Sequence, residues 1–295
     1  MVPRLFGMVT TAASADYTPH ALTSFFQTAE LGENDRLVLI DNDASYRGSV
    51  PSGGAVQVLV NDAPKSFAEN VNTAIALADQ HEADVYFLNN DVIFTPHWLD
   101  DLAIAADDAL LSPFSNGEMQ HSLGDFKCRF MMDYADYAGH ETQLLQIVAE
   151  HRTRYSGYIE VFSIPFFCVR IPRRIYRTVG NLDTGFGLGG GEDKDYCLRA
   201  RRAGFSVRYA QAPYILHFMG KSTWRGRETA QETQRRNQFY KDSFERKWGR
   251  PLTRLYITEG RDVLKQYGYE NSMPATSEQF SEVIEKLFSM RDNPV

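Results

Sequence analysis

The sequence predicts an α/β protein: a Rossmann-type sandwich on a mostly parallel central sheet, carrying a helical C-terminal extension. Three observations lead there. Short apolar runs bounded by turn formers alternate with segments of helical periodicity. Polar, carboxylate-bearing residues follow those runs, where open α/β sheets bind their ligands. Beyond about Trp224 the composition changes to charged helix. With 295 residues and 43% hydrophobic content, the chain can bury the core that one large domain with an appendage requires. We expect a main domain over residues 1–223 and a helical extension over 224–295.

The elements follow in order. "LFGMV" (Leu5 to Val9), "LVLI" (Leu37 to Ile40), "VQVLV" (Val56 to Val60) and "VYFL" (Val85 to Leu88) read as buried strands. Between the last two, Phe67, Val71, Ala74, Ile75 and Ala78 recur at helical spacing. Pro96 to Asp107 reads as a helix and "LLSPF" as a further strand, followed by a polar and aromatic insertion from Gly117 to Ser156 with a helix near Glu141 to His151. "FFCVRI" (Phe166 to Ile171) is then a strand, and "PRRIYRTVG" a helix closed by Gly180. The next helix begins on three carboxylates, buries Tyr196, Ala200 and Ala203, ends on arginines and stops at Gly204. Phe205, Val207 and Tyr209 alternate as a strand. In the extension, Tyr240, Phe244 and Trp248 recur at i, i+4, i+8, a stripe suited to docking on the main domain or to a homo-oligomer through the C-terminal helices.

Composition excludes several classes. A net charge of -7 argues against nucleic acid or an anionic membrane as a general partner, since phosphates require clustered Lys and Arg. Cys128, Cys168 and Cys197 are too few and scattered for a disulfide framework or a zinc site. Gly7, Thr10 and Thr11 interrupt the first apolar run before it forms a signal-peptide core, and no stretch approaches the roughly 18 apolar residues of a membrane span. The expected location is the cytoplasm, with any contact at the inner membrane face peripheral. Familiar motifs are missing too. "VTTAASADY" has no glycine for a dinucleotide fingerprint, Ile215 stands where a P-loop before Gly220-Lys221-Ser222 needs glycine, and neither HExxH nor G-x-S-x-G occurs.

What remains is an ordered set of polar strand ends: Asp41, Asn42 and Asp43; Asn89, Asn90 and Asp91; Glu192 and Asp193; and His217. Each alone is explained by turn chemistry or a satisfied histidine. Together, "VLIDNDAS", "FAENVNTAI", "FLNNDVIF", "GNLDTGFGLGGGEDKDYCLRARRAGF" and "ILHFMGKS" resemble the family 2 glycosyltransferases of GT-A fold, over roughly Leu5 to Ser222. The most specific part is the Gly-rich segment with its Glu-Asp pair and the later histidine.

The resemblance implies an inverting glycosyltransferase that moves a sugar from a UDP-, GDP- or dTDP-sugar to an acceptor hydroxyl, in polysaccharide or glycoconjugate synthesis. It places Asp91 and His217 on a Mn²⁺ or Mg²⁺ ion that neutralises the leaving diphosphate, the imidazole tilting preference towards Mn²⁺. Thr10, Thr11, Asp41 and Asn42 would hold base and ribose, with Lys65, Asn72 and Asn90 reading the nucleotide or bracing its loops. Asp193 would be the base, with Glu192 its neighbour or substitute. Two positions depart from the family pattern: Asn89 stands for the first acid of the DxD-like element, and Thr184 for an acid that often follows Asp183. The run Gly187, Gly189, Gly190 and Gly191 exceeds what a helix start needs, and is expected to wrap sugar and acceptor. A nucleotidyltransferase on a similar sheet is the alternative chemistry, and a catalytically weak sugar-nucleotide-binding assembly subunit the alternative class.

Overall fold

The computed structural model describes residues 2–48, 56–117, 131–221, 228–269 and 274–291. The chain opens with β1 (Arg4–Thr10), a 3-10 turn over Ala12–Ser14, α1 (Thr18–Thr28), β2 (Arg36–Asp41) and β3 (Val56–Val60). α2 (Phe67–Gln80) begins at Ser66, whose hydroxyl accepts the Glu69 N–H while the Glu69 carboxylate accepts the Ser66 N–H. Then come β4 (Asp84–Leu88), β5 (Val92–Phe94), α3 (Asp100–Ile104), β6 (Ala109–Ser115), α4 (Tyr134–Tyr137) and α5 (Glu141–Arg154). β7 (Tyr158–Glu160), β8 (Cys168–Ile171), α6 (Arg173–Val179), α7 (Glu192–Arg202) and β9 (Ser206–His217) complete the main body. The extension holds α8 (Ala230–Trp248), α9 (Arg250–Thr253), a π turn (Arg254–Thr258), a 3-10 segment (Gly260–Tyr267) and α10 (Ser277–Ser289).

One sheet organises the body, in the order β3-β2-β1-β4-β8-β6-β9-β5, with β7 also on β9. β1, β2, β3 and β4 run parallel, as does the long β6–β9 pair, while β8, β5 and β7 join antiparallel. The parallel strands end together, so the loops after β1, β2 and β4 share one rim. A core lies on each face: Val71, Ala74 and Ile75 of α2 with Val85 and Phe87 on one, Phe25 and Trp98 with Phe6 and Tyr86 on the other.

Several expectations need correction. β3 is an edge strand, not a buried one: it pairs only with β2, leaving Val58 40% and Val60 52% exposed. The helix expected over Pro96 to Asp107 shrinks to Asp100–Ile104, because Ala105 turns to extended backbone. Ala203 lies exposed past the end of α7, and Cys197 and Leu198 are buried in its place. Cys128, Ser222 and Trp224, and the 223/224 boundary, fall outside the described residues.

The extension is not free-standing. Phe244, Trp248, Leu252 and the α10 side chains Phe280, Val283, Ile284 and Leu287 form a third core with Phe162, Phe186 and Leu198 of the main body. At about 25 cal/mol per Å² of apolar surface, this burial holds α8 against α7. Phe244 and Trp248 of the stripe are thus covered within the chain, and Tyr240 is partly so. Among the described residues no helix is long and apolar enough to cross a membrane.

Candidate active site

The residues singled out in the sequence divide by how their polar atoms are bonded. Those after β1 and β2 are engaged by the protein itself. Buried Thr10 shares a hydroxyl contact of 2.7 Å with Thr18, and the Thr11 N–H donates to Ser14 Oγ at 3.1 Å. Asp41 accepts the N–H groups of Ser45 (3.1 Å) and Tyr46 (3.0 Å), one on each carboxylate oxygen. Asn42 Oδ1 accepts from the Lys65 N–H (2.9 Å), Asn61 Nδ2 (2.8 Å) and Asn70 Nδ2 (3.1 Å), while its own amide donates to the Lys65 carbonyl at 3.0 Å. The Lys65 side chain is exposed above this knot. Asn72 clamps the Leu182 backbone through both amide atoms, at 2.7 and 2.9 Å, and so ties α2 to the glycine loop; the Phe67 N–H does the same on the Leu188 carbonyl at 3.1 Å.

After β4 the bonding is incomplete. Asn90 is fully buried and donates to Ser14 Oγ (2.7 Å) and Thr18 Oγ1 (2.8 Å), but its Oδ1 accepts nothing. Asp91 is also fully buried; Oδ2 accepts the Lys221 N–H at 2.8 Å, whereas Oδ1 has no hydrogen bond. Facing Oδ1, His217 Nε2 stands 3.5 Å away, a contact too long for a hydrogen bond. Burial works to raise the Asp91 pKa, and the His217 imidazole with the Lys221 N–H outweighs it, holding the carboxyl below its ordinary value. His217 is fixed from several sides: its ring stacks on Phe167 (centroids 4.8 Å, planes 15° apart), its N–H donates to Asn116 Oδ1 at 2.8 Å, and Asn89 Nδ2 lies 3.4 Å from Nε2.

An orphaned carboxylate oxygen and an imidazole nitrogen converging on one point fit a divalent cation of the Mn²⁺ type better than Ca²⁺, which takes oxygen ligands alone. Among the described residues no third His, Cys, Asp or Glu joins them.

The other half of the site is the start of α7. Gly191 caps the helix in the left-handed region at φ 86°, and Gly190 holds φ 123°; a side chain on Gly190 would meet the Tyr240 ring at 2.7 Å. The glycines therefore admit α8 against the turn. Glu192 is 5% exposed and accepts the Gly190 N–H. Burial first, and then the neighbouring Asp193 charge, push its pKa up to about 7. Asp193 is half-buried, accepts the Lys194 N–H at 2.7 Å, and is also raised by burial. Neither carboxylate is an N-cap, since Gly191 holds that position. Phe166 packs edge-on to Tyr196 of α7 while adjacent Phe167 stacks on His217, so one dipeptide supports both halves.

Sequence reasoning missed the contribution of the extension. Asp195, read as dipole complementation, is fully buried and accepts Trp248 Nε1 (2.8 Å), Lys247 Nζ (2.7 Å) and Arg199 Nε (2.9 Å), which anchors α8 on α7. The anchor sets Tyr240 on the glycine turn. It also brings the Arg236 charge near enough to Glu192 to oppose the rise in its pKa. The one signal in the sequence was the Tyr240–Trp248 stripe itself.

No protein-family model matches the sequence, and no curated protein matches it. Solved structures match in fold. A structure of GalNAc-T7 with UDP, GalNAc and Mn²⁺ is similar with a TM-score of 0.57 and 14% identity, over 97% of this chain and 57% of its own. The mannosyltransferase PcManGT from Pyrobaculum calidifontis, with GDP-Man and Mn²⁺, is similar with a TM-score of 0.53 and 10% identity, over 99% of this chain and 76% of its own. The chain thus spans little more than half the length of the first. What these likenesses establish is the fold, a GT-A-like α/β sandwich with helices, in agreement with the expectation from sequence.

Proposed function

We propose that the chain is an inverting glycosyltransferase using a nucleoside-diphosphate sugar. The observation that carries the reading is the Asp91–His217 pair, a buried unpartnered carboxylate oxygen 3.5 Å from an imidazole at the end of a central strand. Asp91 and His217 would hold Mn²⁺ or Mg²⁺, which when bound supplies positive charge for the departing diphosphate. The loops after β1 and β2, stiffened by Asp41 and the Asn42 knot, would receive the nucleotide, with Thr10, Thr11 and the exposed Lys65 at its edge. Asn72 and Asn90 act as braces that set the loops. The Gly190–Gly191 turn would cover the sugar.

Asp193 would take the proton of the acceptor hydroxyl as that oxygen bonds to the anomeric carbon and the bond to the diphosphate oxygen breaks. The electron pair leaves with the nucleoside diphosphate, and the configuration inverts. Burial favours this role: a carboxylate whose pKa is raised accepts a proton more readily near neutral pH. Glu192, lifted to about 7, can share the proton or replace its neighbour. The structures similar in fold, GalNAc-T7 with UDP, GalNAc and Mn²⁺ and the mannosyltransferase PcManGT with GDP-Man and Mn²⁺, support the same class of chemistry.

The test is a panel of UDP-, GDP- and dTDP-sugars with Mn²⁺ or Mg²⁺, following release of nucleoside diphosphate and the anomer formed. One donor should be consumed with inversion. Consumption of none, with no nucleoside diphosphate shifting the melting temperature, would overturn the reading; release of pyrophosphate from a nucleoside triphosphate would indicate nucleotidyl transfer instead.

A further inference from the structure

The glycosyltransferase reading leaves the acceptor unassigned, and the extension carries a cavity that no step above uses. It is an open groove with a volume of about 380 Å³ between α8 and the π turn. Thr233, Gln234, Asn237, Gln238 and Lys241 line one side, and Ile257 and Thr258 the other. Tyr240 completes the wall. The same ring packs on the backbone of Gly190 and Gly191, so a single side chain separates the cavity from the Glu192–Asp193 turn.

The lining has a definite chemistry. Gln234 and Asn237 are exposed and make no side-chain hydrogen bond among the described residues, so each amide presents both a donor and an acceptor to the groove. Lys241 has no carboxylate partner among those residues. Gln238 is oriented by Asp242, its Nε2 donating at 2.7 Å. Amides, hydroxyls and an aromatic wall match a ligand that offers many hydroxyls and a few C–H faces. A peptide or lipid would seek a more apolar lining, and a nucleotide phosphate more positive charge.

We propose that this cavity is an acceptor subsite for an oligosaccharide, with Tyr240 as the shared wall that aims one acceptor hydroxyl at Asp193. The proposal rests on the glycosyltransferase reading for the role of the sugar bound there, but not for its binding. It gives the docked extension a use: α8 is held by Asp195 and Trp248 so that the groove and the acidic turn keep one register.

A glycan array of plant, fungal and bacterial oligosaccharides, probed with the full chain, tests it. At least one glycan should be retained, and titration of that glycan should weaken at least tenfold in a Gln234→Ala, Asn237→Ala double variant and in Lys241→Ala, with melting temperatures matching wild type. Affinities within twofold of wild type in both variants would overturn the subsite. So would an array that retains nothing while the wild-type chain releases nucleoside diphosphate from a donor sugar, and in that case the transferase reading stands. Retention lost in the variants by a chain that consumes no donor would keep the sugar site and remove the transferase reading. Failure of both measurements would remove both.

Discussion

Two stretches of the same sheet rim carry the same residue types in opposite states. After β1 and β2, Asp41 and Asn42 direct their side-chain atoms at loop N–H groups and neighbouring amides. After β4 and at the start of α7, Asn90 Oδ1 and Asp91 Oδ1 accept no bond, and Glu192 and Asp193 are held where burial opposes their charge. A satisfied polar group shapes a loop. An unsatisfied buried one carries a free-energy cost of about 1–3 kcal/mol, which a bound ligand can offset. The difference separates framework from reactive groups better than residue type does.

The largest effect should come from the second stretch. Asp193→Asn preserves size and hydrogen bonding but removes basicity, so transfer should fall by roughly 10² to 10⁴-fold with fold and donor binding retained. Steady-state rates at saturating donor check this. If Glu192→Gln is inactive while Asp193→Asn turns over normally, the two roles are exchanged.

Glu192 sharpens the contrast through stability. Its folded pKa of about 7 lies above the unfolded value, so the native state binds the extra proton between about pH 4.5 and 7. Stability therefore falls as pH rises through that window, by up to about 3 kcal/mol at ~1.4 kcal/mol per unit. Glu192→Gln should be more stable than wild type at pH 8 and no more stable near pH 4, by chemical denaturation. An advantage independent of pH would show that the carboxyl is not strained.

On the first stretch the effect should run the other way. Asn42→Ala strips the acceptor from Lys65 N, Asn61 and Asn70 and should cost about 1–3 kcal/mol. Turnover per folded molecule should change little beyond a raised KM for donor. A large loss of kcat without loss of stability would erase the distinction between the two stretches.

Much of this frame was legible in the sequence. The strands around Leu5, Leu37, Val85 and Cys168 are short apolar runs, and α2 announces itself through the helical spacing of Phe67, Val71, Ala74, Ile75 and Ala78. β3 misled because an apolar run says nothing about whether a second strand covers it. β5 and β7 are three residues each and give no periodicity to read. The glycine run was rightly marked as unusual, but its nearest neighbour is Tyr240, some 50 positions away, a contact no local pattern contains. Asp195 shows the same limit: an acid in the first turn of a helix suits the helix dipole, and only packing shows it buried under Trp248. Whether a strand-end carboxylate is satisfied depends on partners such as Lys221 and His217, more than a hundred positions away.

The most direct measurement is calorimetric titration of UDP, GDP and dTDP into the full chain, with Mn²⁺ and with EDTA, for wild type, Asp91→Ala and His217→Ala. One nucleotide should bind wild type at least tenfold more tightly with Mn²⁺, and each substitution should abolish most of that enhancement, because each removes a metal ligand. Equal affinity in Mn²⁺ and EDTA, unchanged by either substitution, would contradict the account.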